Sequence, residues 1–536
     1  MVSGKGVLSL VFFLVAFSLQ AQDDRYMVFF KDKQGTAFDI SNPSAFLSAR
    51  AIERRLRQKL QVVEQDLPVS TTYVNGVKAT GATVIHSTRW MNGVLVACDD
   101  DERAALESLP YVSHIEYVAP GGKPMPSGRR KVGARTTDVK ESQVTANQLS
   151  LVGINDMHAA GYTGEGIHIA VMDAGFPGVN TAGAFSHIFE DNRLIDAYDF
   201  VHDDPDAFVL SNHGTNVLSV IAGYLPDAYT GSAYGASFHL YITEDVSGEY
   251  RIEEYNWLFA AERADSAGAD IISTSLGYNT FDDPSMNYDK SQLDGKTTVI
   301  ARAAKLAAER GITIVSSAGN EGNNAWETIT TPADSEYVLA VAATNANGVR
   351  SSISSIGPSA DGRIKPDVGA MGVGVSVVNP SGNLGMASGT SLAAPIVTGL
   401  LAGIWQKYPH LSNLQLLDAV RSTASQAENP DHLLGYGIPN FRAVSNLLDW
   451  QPQEKPMVVA PNPVTDTLVI RPDEPEEEKA IVEILSLQGQ VLSSQESTFD
   501  WIARGFQADC SKLAAGMYLL RVRTGQEVYS FKVVKL

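Results

Sequence analysis

Three side chains of the 536-residue chain, Asp173, His213 and Ser391, have the types needed for nucleophilic catalysis at a carbonyl carbon. Ser391 lies in the run Gly389, Thr390, Ser391, Leu392, Ala393, Ala394, Pro395, where small residues lead to one hydroxyl at the start of a long apolar helical pattern. A serine hydroxyl is a weak nucleophile near neutral pH and needs a base beside it. Histidine exchanges a proton in that range without large tuning, and His213, followed by Gly214 and Thr215, opens a second helical pattern. Asp173 follows Ala170, Val171 and Met172, so a buried strand would present its carboxylate at the strand end. A carboxylate bonded to the imidazole N–H fixes the tautomer and favours the imidazolium formed during attack. The reaction also puts charge on the carbonyl oxygen. Asn320, within Ser317, Ala318, Gly319, Asn320, Glu321, Gly322, offers an amide donor for that charge. Losing one such donor costs roughly 10²–10³ in rate.

Taken one at a time, these residues have ordinary uses: Asp and Asn cap turns, and Ser and His begin helices. Their neighbours decide the matter. The order Asp, His, Ser, with His213-Gly214-Thr215 and the unbroken series from Gly389 to Pro395, resembles the subtilases, the subtilisin-like serine peptidases. An esterase of the α/β-hydrolase type is disfavoured, because its nucleophile elbow has glycine two places after the serine, where this chain has Ala393. The order of its triad differs as well.

The resemblance implies a secreted serine endopeptidase with Asp173, His213 and Ser391 catalytic and Asn320 at the oxyanion. It also implies that Ser275, Leu276 and Gly277 bind substrate, since the matching family segment pairs with the extended peptide and lines the first specificity pocket. Backbone pairing of that kind is largely sequence-tolerant. The family usually has Thr or Ser after the aspartate, whereas this chain has Ala174. That departure favours a rival reading, a catalytically weak or inactive surface interaction protein on the same fold.

The elements that must hold these residues are legible as apolar runs. Segments 167–172, 238–242, 271–274, 312–317 and 338–342 read as strands covered on both faces, and 215–222, 252–267, 299–310 and 392–408 as helices. Alternation of the two predicts an α/β fold, a subtilisin-like parallel sheet with helices on both faces and its site at the carboxyl ends of strands. Pro395 is expected near the first helical turn, where a missing N–H costs little.

The domain reading is signal peptide 1–21, propeptide-like α+β module 22–119, linker 120–145, peptidase domain 146–450, linker 451–456 and C-terminal β-sandwich 457–536. The signal rests on Lys5, an apolar run over 7–19 too short to span a bilayer, and Ala21. The module shows strand patterns at 26–30, 94–97 and 112–117 and helical ones at 45–59 and 102–109. The Gly, Pro and basic residues of 120–145 suit an exposed, cleavable linker. Ala460-Pro461-Asn462-Pro463, Leu487-Gln488-Gly489-Gln490 and Gly516-Met517-Tyr518 resemble the C-terminal sorting domain of the type IX secretion system of Bacteroidota. Export through the periplasm to the medium or cell surface follows from it, with protein or peptide substrates and the secretion machinery as partners.

Residues 22–145 hold 17 Lys and Arg against 15 Asp and Glu, and 146–450 hold 14 against 34, so nucleic acid is a poor partner for the central domain. Cys98 and Cys510 fall in different domains and make a disulfide framework improbable. The chemistry needs no cofactor. Asp199, Asp203, Asp204 and Asp206 could collect a structural calcium, but their spacing fits no known ligand pattern, and a solvated loop is the favoured reading. The acidic run 473–478 reads as a solvated turn.

Overall fold

Strands covered on both sides need apolar side chains on both faces, and the seven strands of the central sheet largely meet that demand. In spatial order they are Val368–Met371, Val338–Thr344, Thr313–Ser317, Ile271–Thr274, His168–Asp173, Ser237–Ile242 and Leu194–Asp199, all parallel. The computed structural model describes residues 23–121, 137–138, 145–449, 457–472, 479–500, 503–525 and 527–536. The expected signal peptide, most of the first linker, all of the second and the acidic run 473–478 lie outside them.

Successive strand residues point to opposite faces. Ile169, Val171, Leu240 and Ile242 join one apolar core with the helices His213–Ala222 and Thr390–Lys407. Ala170, Met172, Tyr241 and Ile272 join another with Ile252–Ala267 and Val299–Glu309. Helices therefore cover both faces, as the alternating pattern predicts. Two sheet strands are absent from that pattern, Leu194–Asp199 and Val368–Met371. Both are edges of the sheet. The first is half-exposed and carries Asp196 and Asp199, and the second is four residues long with a central glycine.

The N-terminal module is an antiparallel sheet in the order Thr83–Thr88, Gly93–Cys98, Asp24–Phe30, Val112–Ala119. Val28 and Phe30 face the module's own core, while Met27 and Phe29, one position off, pack with Tyr255, Phe259 and other residues of the peptidase domain. Its first α-helix, Ala49–Arg57, is shorter than the 45–59 pattern because Ser48 caps it, accepting from the Ala51 N–H. Strand Thr83–Thr88 and helix Thr71–Lys78 are additional to the sequence reading.

At the C-terminus, one sheet of three strands (Met457–Ala460, Thr467–Pro472, Phe506–Asp509) and one of four (Val491–Thr498, Lys479–Leu485, Gly516–Thr524, Glu527–Lys535) enclose Leu468, Ile470, Val482, Ile484, Phe506, Leu520 and Val522. This is the expected β-sandwich.

Candidate active site

Asp173 ends the strand His168–Asp173, between two neighbouring strands, and is fully buried. Its Oδ1 lies 2.8 Å from His213 Nδ1 and accepts the Ala174 N–H at 2.7 Å. His213 is the first residue of its helix, and Gly214 allows that helix to sit so close. A Cβ at Gly214 would lie 2.3 Å from the Gly175 carbonyl oxygen and 2.9 Å from Asp173 Cβ. Asp173 Oδ2 is buried and meets no donor among the described residues. The methyl of Ala174 stands where the family's usual hydroxyl would follow, yet the Asp173–His213 bond forms without it.

Ser391 is the second residue of the helix Thr390–Lys407 and is almost wholly buried. The first N–H groups of a helix have no partner within it. Here Asn320, immediately past the strand Thr313–Ser317, meets one of them: its Oδ1 accepts from the Thr390 N–H at 2.9 Å and from the Thr390 hydroxyl at 3.0 Å. The amide is thereby turned so that Nδ2 remains as donor. Gly389 lies between Asn320 and Ser391. A Cβ there would come within 2.9 Å of Ser391 Oγ and 3.7 Å of Asn320 Nδ2. Hydroxyl and amide thus border one small space at the positive end of a helix, where negative charge is favoured. The two helices that start with His213 and with Thr390 pack together, which brings the Asp173–His213 couple and the Asn320–Ser391 couple to the same end of the sheet.

The helix begins two residues before the expected 392, so Pro395 is at its sixth position, inside the helix and past the first turn. That corrects the sequence reading. The cap that extends the helix comes from Asn320, 70 residues away, and no local pattern signals it.

Ser275, Leu276 and Gly277 follow the strand Ile271–Thr274. The Ser275 hydroxyl donates to the Ser391 carbonyl at 2.9 Å, and Thr398 further along the same helix donates to Ser273 Oγ at 3.0 Å. Gly277 meets a residue the sequence reading missed: a Cβ there would lie 2.1 Å from Thr330 Oγ1, and one at Gly319 would lie 3.0 Å from the same atom. Thr330 is buried, with its hydroxyl unpartnered among the described residues. Its backbone N–H donates to the carbonyl of Ala318, in the segment that carries Asn320, at 3.4 Å.

The four aspartates do not gather. Asp199 belongs to a strand end rather than a loop and is buried, with its carboxylate accepting from Val201 N, His202 N and the His202 ring. Asp204 and Asp206 accept backbone N–H groups of their own turn at 2.8 and 2.9 Å, and both are exposed, as is Asp203. Among the described residues, the acidic side chains whose oxygens do converge are Glu244, Glu249 and Glu253, within 4.8 Å of one another.

Comparison with known proteins agrees with this architecture. The subtilase family model matches residues 164–437, a Bacteroidota peptidase S8 propeptide model matches 25–132, and a secretion system C-terminal sorting domain model matches 458–536. Subtilisin NAT from Bacillus subtilis subsp. natto is 31% identical over 379 residues, covering 69% of this chain and 84% of that protein. Subtilisin E from Bacillus subtilis (strain 168) gives the same figures. The crystal structure of fervidolysin from Fervidobacterium pennivorans, a keratinolytic enzyme related to subtilisin, aligns over 94% of this chain and 71% of its own, with a TM-score of 0.55 and 18% identity. That likeness is one of fold.

The fold, a seven-stranded parallel sheet between helices, and these likenesses define a serine peptidase. The chain belongs to the subtilase family. It is a subtilisin-like serine endopeptidase with a propeptide and a type IX sorting domain, hence a secreted or cell-surface protein. No helix among the described residues is long and apolar enough to cross a membrane.

Proposed function

We propose that the enzyme hydrolyses peptide bonds through an acyl-enzyme on Ser391. The hydrogen bond from His213 Nδ1 to Asp173 carries this reading, because it leaves Nε2 as the nitrogen that handles protons. His213 takes the Ser391 proton as Oγ attacks the peptide carbonyl, and Asp173 steadies the imidazolium. The oxyanion is held by Asn320 Nδ2 and the Ser391 backbone N–H. His213 then gives its proton to the leaving amine, and water repeats the sequence on the ester. Ser275, Leu276 and Gly277 hold the substrate backbone just past the end of their strand. The scheme uses side chains and water alone and assigns no step to calcium.

In the same reading, 1–21 is a signal peptide, 22–119 the propeptide, 146–450 the peptidase domain and 457–536 the sorting domain, with cleavage between Pro120 and Thr145 during maturation. Intact-mass measurement of secreted protein tests this; residues 22–118 still continuous with the active domain would defeat it.

Ser391→Ala should lower kcat on an unfolded protein substrate by roughly 10⁶ and abolish labelling by a serine-directed phosphonate. Full turnover in that variant would remove Ser391 from the mechanism. A folded, processed wild-type protein that resists the phosphonate would favour the inactive binder instead.

A further inference from the structure

Pro395 has no N–H, and it stands at the sixth position of the helix that carries Ser391. In an uninterrupted α-helix the N–H of residue 395 would donate to the carbonyl four residues earlier. That carbonyl belongs to Ser391. It is met instead from outside the helix, by the buried hydroxyl of Ser275 at 2.9 Å.

We infer that Ser275 is a positioning residue: its hydroxyl replaces the hydrogen bond that Pro395 removes at the nucleophile's own peptide unit. The inference rests on Ser391 being the nucleophile. Fixing the Ser391 carbonyl fixes the backbone torsion on the C-terminal side of its Cα, and with it the direction in which Cβ and Oγ project. Thr398 cannot stand in for it. That residue ties the helix to Ser273 further along its length and bonds the Ala394 carbonyl, one turn beyond the peptide in question. Ser275 is also the first residue of the segment assigned to the substrate backbone. One hydroxyl therefore links the substrate strand to the attacking group.

A cycle on the processed enzyme tests this with Ser275→Ala, Pro395→Ala and the double variant, following kcat, KM and the rate of phosphonate labelling. The phosphonate reads Ser391 without needing an extended peptide along residues 275–277. Ser275→Ala leaves a buried carbonyl unmet, and kcat and labelling should both fall about tenfold, with KM moving by less than about twofold. Pro395→Ala restores an N–H to residue 395, so in that background the loss of the Ser275 hydroxyl should cost no more than about twofold. Should Pro395→Ala not fold, Ser275→Thr carries the test, because it keeps a hydroxyl donor and should retain labelling where Ser275→Ala loses it.

The inference is overturned if Ser275→Ala labels as fast as wild type, if its defect lies in KM alone, or if the defect persists unchanged in the Pro395→Ala background. Ser391→Ala run in parallel separates the two claims. An active Ser391→Ala sinks the nucleophile assignment, whereas an inactive one beside an unaffected Ser275→Ala sinks only the role given to Ser275.

Discussion

The two appended domains meet the rest of the chain on different terms. The N-terminal module places Arg54, Arg55 and Arg89 around Asp265, the last two at 2.8 and 2.7 Å, in a setting where Asp265, Arg54 and Arg55 are all buried. Arg50 and Arg57 pair with Asp270, Arg310 of the peptidase domain reaches back to Asp66 at 2.6 Å, and Glu262 accepts the Arg89 and Trp90 N–H groups at 2.9 and 3.1 Å. Under this network Met27, Phe29, Trp90 and Leu95 lie against Tyr255 and Phe259. The C-terminal sandwich closes on its own core, and the ion pairs described for it, Lys479–Glu496 and Glu483 with Arg521 and Arg523, are internal. A single sheet needs a second layer to bury its other face. The module borrows that layer from the peptidase domain, while the sandwich supplies its own.

The sharpest way to break this contrast is Asp265→Ala. It takes the carboxylate from three guanidinium groups, two of them fully enclosed and only Arg55 keeping a second carboxylate, Asp66 at 3.6 Å, and should destabilise the full chain by about 3–5 kcal/mol, read from chemical denaturation. A loss too small to measure would mean that the network contributes little to the seating of the module.

Acidification should act next in size. Burial holds the His86 imidazole below its usual 6.5; Asp203, at 3.8 Å, opposes this, and Arg25 and Arg263 add to it. The ring packs 5.4 Å from Phe200 and 5.1 Å from Phe259 of the peptidase domain. A histidine whose pKa is lowered in the complex favours release once protonated, so the stability it contributes is present above 6.5 and is lost as pH falls below that. Burial would raise the Asp265 carboxyl, but Arg55, Arg54 and Arg89 outweigh it and hold the pKa low, so its contribution fades only below the ordinary aspartate range near 3.8. Between about pH 7.5 and pH 5, dissociation of the module after linker cleavage should therefore quicken severalfold by size-exclusion chromatography, and His86→Gln should flatten that dependence. A pH-independent rate in the wild type would remove His86 from the seat.

The smallest effect belongs to the other end of the chain. Lys479→Ala breaks a pair exposed on both sides, and exposed pairs contribute little. The unfolding midpoint of the peptidase domain should not move, and deletion of 457–536 should leave it equally unaffected. A clear drop on deletion would show that the sandwich supports its neighbour after all.

What the sequence disclosed follows the range of the interactions involved. Asp173, His213, Asn320 and Ser391 each sit in a short series whose neighbours serve the same local geometry, such as Gly214 for the close helix and Gly389 beside the hydroxyl. The buried central strands were legible because both faces demand apolar residues. Leu194–Asp199 was not, because an edge strand tolerates acids. The position of Pro395, the place of Thr330 and the contact of Ser275 with Ser391 depend on partners 11 to 116 residues distant in the chain, and no local periodicity encodes them. The arginines of Ala49–Arg57 read as a charged helix, and only the fold reveals that two of them are buried against Asp265.

The acids that seat the module have a second consequence. Asp265, Asp270 and Glu262 belong to the peptidase domain, but most of the cations that neutralise them belong to the module and, on the proposed cleavage, would leave with it. The matured enzyme would then bare an anionic face on a domain already holding 34 acidic against 14 basic side chains. Like charge would keep copies of it apart in dilute salt, and recapture of a shed module would weaken as counter-ions crowd that face.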